Sequence, residues 1–223
     1  MIHLRRKLSD GTLLEGQALG TYIPRRRGYR HWQDAFSCAL CLAKQLPDLG
    51  LQLAWDQGKE LAKLIPADVD LIAYPPASRA RRAAGFYFAG ELAVATVEYL
   101  TGHPATGEGG RNVHLARPLR WQQEQIEGAG AAKQIMHQGG QGRKLGRVVE
   151  VLEDLTGRRA CIIDDLATTL ATAAVTAEAL YRAGAESVCV VTLAATERTE
   201  KRPAEERERV AWRAQAKRLR NSR

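Results

Sequence analysis

Two adjacent carboxylates, Asp164 and Asp165, mark the segment of this chain whose residue types could do chemistry. Residues 160–163 before them are apolar, and residues 168–172 after them include three threonines. Carboxylates accept hydrogen bonds from sugar hydroxyls or hold a hydrated divalent cation. A loop that leads into a helix offers backbone N–H groups to a phosphate. The combination favours a sugar phosphate as the ligand.

The elements on either side of the pair would position it at the edge of a sheet. Residues 160–163 indicate a buried parallel strand, because they form a continuous apolar run. Residues 173–183, rich in alanine, predict a helix that Gly184 closes. Open α/β sheets bind ligands at this junction of strand and helix. A second interpretation stays open, in which the carboxylates only cap the helix.

Residues 164–172 read Asp-Asp-Leu-Ala-Thr-Thr-Leu-Ala-Thr. This stretch resembles the phosphoribosyl-pyrophosphate (PRPP) signature of type I phosphoribosyltransferases, usually Asp-Asp-Val-x-Thr-Thr-Gly-x-Thr. The resemblance implies that Asp164 and Asp165 are the catalytic pair that binds the ribose 2′- and 3′-hydroxyls. It assigns the 5′-phosphate to Thr168, Thr169, Leu170, Ala171 and Thr172. Leu170 departs from the usual glycine, which allows a close backbone approach or a positive φ, and this bears on phosphate affinity and turnover.

A second motif lies upstream, where the apolar residues 70–74 end in two prolines and predict another strand. Gly85-Phe86 and Leu92-Ala93 follow it, and this region resembles the ComF-like phosphoribosyltransferases of the bacterial competence group. The resemblance implies a pyrophosphate-binding loop at Ala77, Ser78 and Arg79. Arg79, Arg81 and Arg82 are suitable cations for a pyrophosphate. A solvated basic turn is the alternative interpretation.

Residues 111–146 are rich in glutamine, glycine and basic residues. In the resembled fold this region includes a hood that closes over PRPP and excludes water. Arg143 and Lys144, with Lys133 and His137, are candidates for contacting pyrophosphate on closure. The alternative is that each is an exposed loop charge.

The expected fold is α/β, with the Rossmann-like parallel sheet of type I phosphoribosyltransferases, a small hood and a helical N-terminal part. We divide the chain into an N-terminal strand and helical segment at 1–66, a phosphoribosyltransferase-like domain at 67–196, and a charged helix or tail at 197–223. Within the first segment, residues 31–46 and 55–64 predict two helices, each followed by a proline.

The cofactor that the resemblance implies is Mg²⁺, carried by the PRPP substrate and by Asp164 and Asp165. No zinc is expected. Cys38 and Cys41 form the only Cys-x-x-Cys pair, and His31 would add only one ligand to the four that structural zinc needs. We therefore interpret these cysteines as core residues.

The formal net charge of +8 is clustered, for example at residues 5–7 and 25–27. Clustered arginines favour phosphate-rich partners, and nearby aromatic residues could stack on bases. We expect PRPP or a nucleotide as ligand, leave open single-stranded nucleic acid and a homodimer, and expect no membrane contact. No apolar run approaches the ~18 residues that span a bilayer, so the cytoplasm is the default location.

Two functional hypotheses follow. In the first, the chain is a phosphoribosyltransferase that transfers phosphoribose from PRPP to an unknown, base-like acceptor. In the second, it is a catalytically weak or inactive ComF-type module that binds PRPP, a nucleotide or single-stranded DNA. Leu170 and the basic clusters favour the second hypothesis, whereas the Asp-Asp and Thr-Thr pairs favour retained binding of a sugar phosphate.

Overall fold

The computed structural model describes residues 1–25, 29–102, 110–116, 119–121 and 149–196. The strands are β1 (Ile2–Lys7), β2 (Leu13–Tyr22), β3 (Leu71–Ala73), β4 (His114–Leu115), β5 (Arg120–Trp121), β6 (Val149–Glu150), β7 (Arg159–Ala167) and β8 (Ser187–Thr196). The helices are α1 (Tyr29–Gln33), α2 (Ala35–Ala43), α3 (Pro47–Ala62), α4 (Arg79–Ala83), α5 (Phe88–Thr101) and α6 (Ala171–Arg182).

A six-stranded sheet in the order β1-β2-β8-β7-β3-β4 organises the described chain. Only the β1–β2 pair is antiparallel; β2, β8, β7, β3 and β4 run parallel. Strands β5 and β6 form a separate antiparallel pair. The expectation of an α/β fold with a mainly parallel sheet is confirmed at this level.

Apolar side chains on the two faces of the sheet form two core clusters. On one face, Ile162 and Val190 pack with Val175 and Leu180 of α6. On the other face, residues of β7 and β8 pack with helices α2, α3 and α5, whose buried members include Leu40, Leu61, Phe88 and Leu92. The central strands are therefore covered on both sides, which explains their continuous apolar sequence.

The predicted strand and the helix after it are confirmed with different boundaries, and together with β8 they form a βαβ unit. Strand β7 is parallel to β8, and α6 connects them. The helix begins at Ala171, two residues before the predicted start, and Gly184 after it has a φ of +101°. A left-handed residue just after a helix is a common helix ending.

The N-terminal helices differ more from the prediction. The first predicted helix is divided into α1 and α2, because the Asp34 side chain accepts the backbone N–H of Ser37 and caps a new helix. Helix α3 begins at Pro47, well before the predicted start at residue 55. Proline favours the first turn of a helix, since no N–H is needed there.

The first 66 residues contribute the β1–β2 hairpin to the same sheet as β7 and β8. The three-part division of the chain stays a prediction. Within the described ranges, no helix combines the length and apolar character that crossing a bilayer requires. Most of the expected hood and all of the charged segment 197–223 lie outside the described residues.

Candidate functional site

The acidic pair lies inside β7 rather than after it. The strand continues to Ala167, so Asp164 and Asp165 are both within it. Ile163 and Leu166 pack in the same apolar cluster. In a regular strand, two residues that are three positions apart would point to opposite faces of the sheet. The alternation of β7 is therefore interrupted at the pair, and such irregularities are frequent next to functional sites.

Asp164 has an unusual electrostatic environment. Burial raises its pKa to about 7, and the adjacent Asp165 carboxylate adds to this, while Lys44 opposes it. The backbone N–H of Asp165 donates to Asp164 Oδ1 at 2.8 Å. Burial disfavours the charged form of a carboxyl group, and a neighbouring negative charge acts in the same direction. Asp164 is thus poised to exchange a proton near neutral pH.

Lys44 supplies a positive charge to this pair. Its Nζ lies 2.8 Å from Asp165 Oδ1, and the two side chains are only 21% and 15% exposed. Lys44 directly follows α2. The C-terminal end of this helix therefore reaches the carboxyl end of β7.

Tyr87 lies in the electric field of both carboxylates. Burial raises the pKa of its hydroxyl well above the usual value, Asp164 and Asp165 raise it further, and Arg81 opposes them. Tyr87 precedes α5, and its ring centroid is 6.1 Å from that of Tyr74. Both side chains are partly buried, and Tyr87 is the one whose hydroxyl pKa responds to the acidic pair.

The threonine-rich segment connects β7 to α6. Thr168 and Thr169 are exposed, whereas Ala171 and Thr172 form the first residues of the helix. Leu170 has a φ of 56° and a ψ of 20°, and it is the one non-glycine residue with positive φ in the described part of the chain. Its side chain is only 8% exposed and packs in the apolar cluster with α6. The position thus has the left-handed backbone that the usual glycine would adopt without strain.

A cavity of about 400 Å³ lies against this segment. Thr168, Thr169 and Leu170 line one side, and Arg5 and Arg6 of β1 line another. The Arg6 guanidinium donates to the Thr169 carbonyl and so connects β1 to the loop. The cavity therefore combines hydroxyls and guanidinium groups, which suits an anionic ligand, although Asp164 and Asp165 are not among its lining residues.

The loop after β3 lies at the same edge of the sheet, because β3 and β7 are parallel neighbours. Ala77 and Ser78 are partly buried there, and α4 begins at Arg79. The Arg82 guanidinium donates to the Ala77 carbonyl at 2.7 Å, and that of Arg81 donates to the Lys44 carbonyl at 3.0 Å. Arg82 thus holds the backbone of the loop after β3, and Arg81 holds the backbone of Lys44, which pairs with Asp165.

Two expected pyrophosphate contacts, Arg143 and Lys144, lie outside the described residues. Cys38 and Cys41 are partly buried on α2, and the Cys38 thiol donates to the His31 carbonyl at 3.3 Å. Among the described residues, no three His, Cys, Asp or Glu side chains are grouped as metal-ion ligands. The expectations on magnesium and zinc stay predictions.

Sequence reasoning missed Lys44 and Tyr87 as parts of this site. Lys44 is far from Asp165 in the chain, and nothing in its local pattern connects the two. Tyr87 did carry a weak signal, because it directly follows Gly85-Phe86 of the region that resembles the ComF-like proteins.

The structure therefore brings together an acidic pair, a lysine, a tyrosine and a threonine-rich loop at one edge of the sheet. Comparison with known proteins gives no family assignment: no family model matches the chain, and no curated protein matches it.

Proposed function

We propose that this protein is phosphoribosyltransferase-like: it binds PRPP and transfers phosphoribose to a base-like acceptor. The observation that carries the proposal is the arrangement of β7 and the segment after it. The acidic pair, the threonine-rich loop and the start of α6 follow one another directly at the ligand-binding edge of a parallel sheet. The loop after β3 opens at the same edge, where a pyrophosphate loop would be required.

In the proposed reaction, a nucleophilic nitrogen of the acceptor bonds to C1 of the ribose as the bond from C1 to pyrophosphate breaks. Asp164 and Asp165 accept hydrogen bonds from the ribose hydroxyls. Thr168, Thr169 and the N–H groups that begin α6 bind the 5′-phosphate. The site accelerates transfer by positioning the sugar and by stabilising charge, and it needs no covalent intermediate.

The residues at the acidic pair do not fit a directly bound Mg²⁺. Lys44 Nζ already lies 2.8 Å from Asp165 Oδ1, and Asp164 Oδ1 accepts the Asp165 N–H. Mg²⁺ requires near-ideal octahedral geometry and retains several waters. We therefore assign no step to a metal on these carboxylates, and any Mg²⁺ used with PRPP would enter on its pyrophosphate.

The second candidate is a PRPP- or nucleotide-binding module with little or no transferase activity. Leu170 favours it, since a buried leucine in a left-handed conformation stands in the middle of the phosphate loop. Both candidate functions use the same sugar-phosphate site, and catalytic turnover distinguishes the transferase from the binding module.

Calorimetric titration with PRPP and Mg²⁺ tests the shared site. We expect the wild type to bind and Asp165→Asn to lose at least tenfold in affinity, because a charge-assisted acceptor for the ribose is removed. Asp56→Asn makes the same chemical change on the exposed surface of α3 and should leave the affinity unchanged. Absence of binding by the wild type would refute both candidates. Release of pyrophosphate in a screen of base acceptors distinguishes the enzyme from the binding module.

A further inference from the structure

Lys44 already supplies a positive charge to the acidic pair, at the position where a metal ion would otherwise bind. Its ammonium group lies at hydrogen-bonding distance from Asp165, and both side chains are largely buried. An isolated charge in such surroundings is costly, so the two ions stabilise each other. The positive charge that two adjacent carboxylates require is therefore already present in the chain.

The position of Lys44 is fixed from a second direction. Arg81 donates to the Lys44 carbonyl at 3.0 Å, and Arg81 belongs to α4, directly after the loop of Ala77 and Ser78. Lys44 thereby connects the acidic pair on β7 to the proposed pyrophosphate loop after β3. Tyr87 lies close enough to the pair for both carboxylates to raise the pKa of its hydroxyl.

The chemistry of an ammonium group suits this position. It has three N–H donors, so a lysine that bonds Asp165 can also donate to a ligand oxygen. A divalent cation on the same carboxylate would be a like charge close to the ammonium, and repulsion would oppose it. Lysine and metal are therefore alternatives at Asp165.

We propose that Lys44, rather than a divalent cation, is the counter-charge of Asp164 and Asp165, and that the site binds the phosphorylated sugar part of its ligand without metal. This inference rests on the proposed function, and it defines how that site recognises its ligand. Lys44 is a binding residue, which holds the Asp165 carboxylate and donates to the ligand. Mg²⁺ then contributes only through a pyrophosphate group, where the ligand has one.

Ribose 5-phosphate is the suitable probe, because it has the sugar and the 5′-phosphate but no pyrophosphate to carry a metal. Calorimetry in EDTA and in Mg²⁺ should give dissociation constants for the wild type that agree within about twofold. Lys44→Met should bind at least tenfold more weakly in EDTA, and Mg²⁺ should restore part of the loss by taking the vacated place. A merely structural role for Lys44 would give no such rescue.

Two further variants complete the design. Lys44→Arg keeps the charge and should bind in EDTA, which preserves the test if Lys44→Met does not fold. Lys63→Met removes a lysine that pairs with Glu60 on the exposed surface, and it should bind like the wild type. Wild-type binding that requires Mg²⁺, or undiminished binding by Lys44→Met in EDTA, would overturn the inference and leave the proposed function standing. No binding of ribose 5-phosphate or PRPP under either condition would overturn both.

Discussion

At the scale of single residues, Asp164 connects folding stability to pH. Its pKa is raised to about 7 by burial and by Asp165, whereas an unfolded aspartate titrates near 3.8. Between these two pH values the folded protein retains a proton that the unfolded chain releases. The contribution of Asp164 to stability therefore falls as pH rises from about 4 to about 7, with the full cost present above pH 7.

Asp164→Asn should remove this dependence, because asparagine does not titrate. Urea unfolding between pH 5 and 8 should show the wild type losing stability relative to the variant by on the order of 2 kcal/mol, a figure that allows for partial solvent access. Asp154→Asn is the control. Hydrogen bonds from Thr156 lower the pKa of Asp154, which is the opposite direction from the shift at Asp164. The difference of Asp154→Asn from the wild type should be constant over this range and change only below pH 4. Parallel curves for the wild type and Asp164→Asn would contradict the prediction.

Leu170 provides a second prediction at the residue scale. Its left-handed backbone costs about 1–2 kcal/mol for a residue with a Cβ, and truncation of its buried side chain costs about 2–5 kcal/mol. Leu170→Gly and Leu170→Ala should both destabilise the protein, but the glycine variant should be the more stable by about 1 kcal/mol. Denaturant unfolding measures the difference.

Within α6 the relative stability should be reversed, so that the protein with alanine is more stable than the variant with glycine. Ala177 is buried in the helix interior, and Ala177→Gly should lower stability by about 1 kcal/mol or more. If Leu170→Ala proved more stable than Leu170→Gly, the left-handed conformation of this residue would be refuted.

The sequence predicts which functional residues lie together only where those residues are close to one another in the chain. The acidic pair and the threonine loop are contiguous, so their association was predictable from residues 164–172. The partnership of Lys44 with Asp165 depends on how α2 packs against the sheet, and no short-range pattern contains that information. The left-handed backbone of Leu170 could be anticipated only from the glycine that the resembled signature has there.

At the scale of elements, two helices approach closely through a glycine. A Cβ added at Gly58 of α3 would lie 2.8 Å from Ala95 Cβ and 3.0 Å from the Ala95 carbonyl carbon. These atoms belong to α5, and backbone cannot move aside cheaply. The contact sets how near α3 lies to α5, the helix that begins beside Tyr87.

Gly58→Ala should therefore destabilise the protein by about 1–3 kcal/mol, despite the better helix propensity of alanine. Gly90→Ala is the matched change in α5, where the added Cβ would meet its nearest atoms at an ordinary 3.5 Å. It should be neutral or stabilising by up to about 1 kcal/mol. Thermal or urea unfolding of both variants tests the pair, and equal effects would contradict the close approach of α3 and α5.

Element types were more predictable than element boundaries. The apolar run at 160–163 correctly indicated a buried parallel strand, but β7 continues through the carboxylates to Ala167. The prediction ended the strand at residue 163, because its only marker was the apolar run and the residues that follow are polar. Pairing with β8 continues to Ala195 and keeps the longer strand in place, and such pairing is decided by tertiary structure.

At the scale of the whole molecule, the order of strands in space differs from their order in the chain. Strand β2 lies next to β8 in the sheet and runs parallel to it, with Gly16 opposite Val190. A Cβ on Gly16 would lie 1.8 Å from the Val190 carbonyl oxygen, so this contact requires a glycine. The apolar runs of β3 and β7 were evident in the sequence, but the neighbours of these strands in the sheet were not.

This pairing has a consequence for how the protein is made. During synthesis the β1–β2 hairpin leaves the ribosome before the other described strands, yet its parallel partner β8 leaves after all of them. Contacts between distant parts of a chain cost loop entropy and slow folding. Until β8 arrives, one edge of β2 has no partner in the sheet, and unpaired edges invite aggregation. The pairing of β2 with β8 therefore makes the nascent chain a substrate for chaperones until β8 has been synthesised.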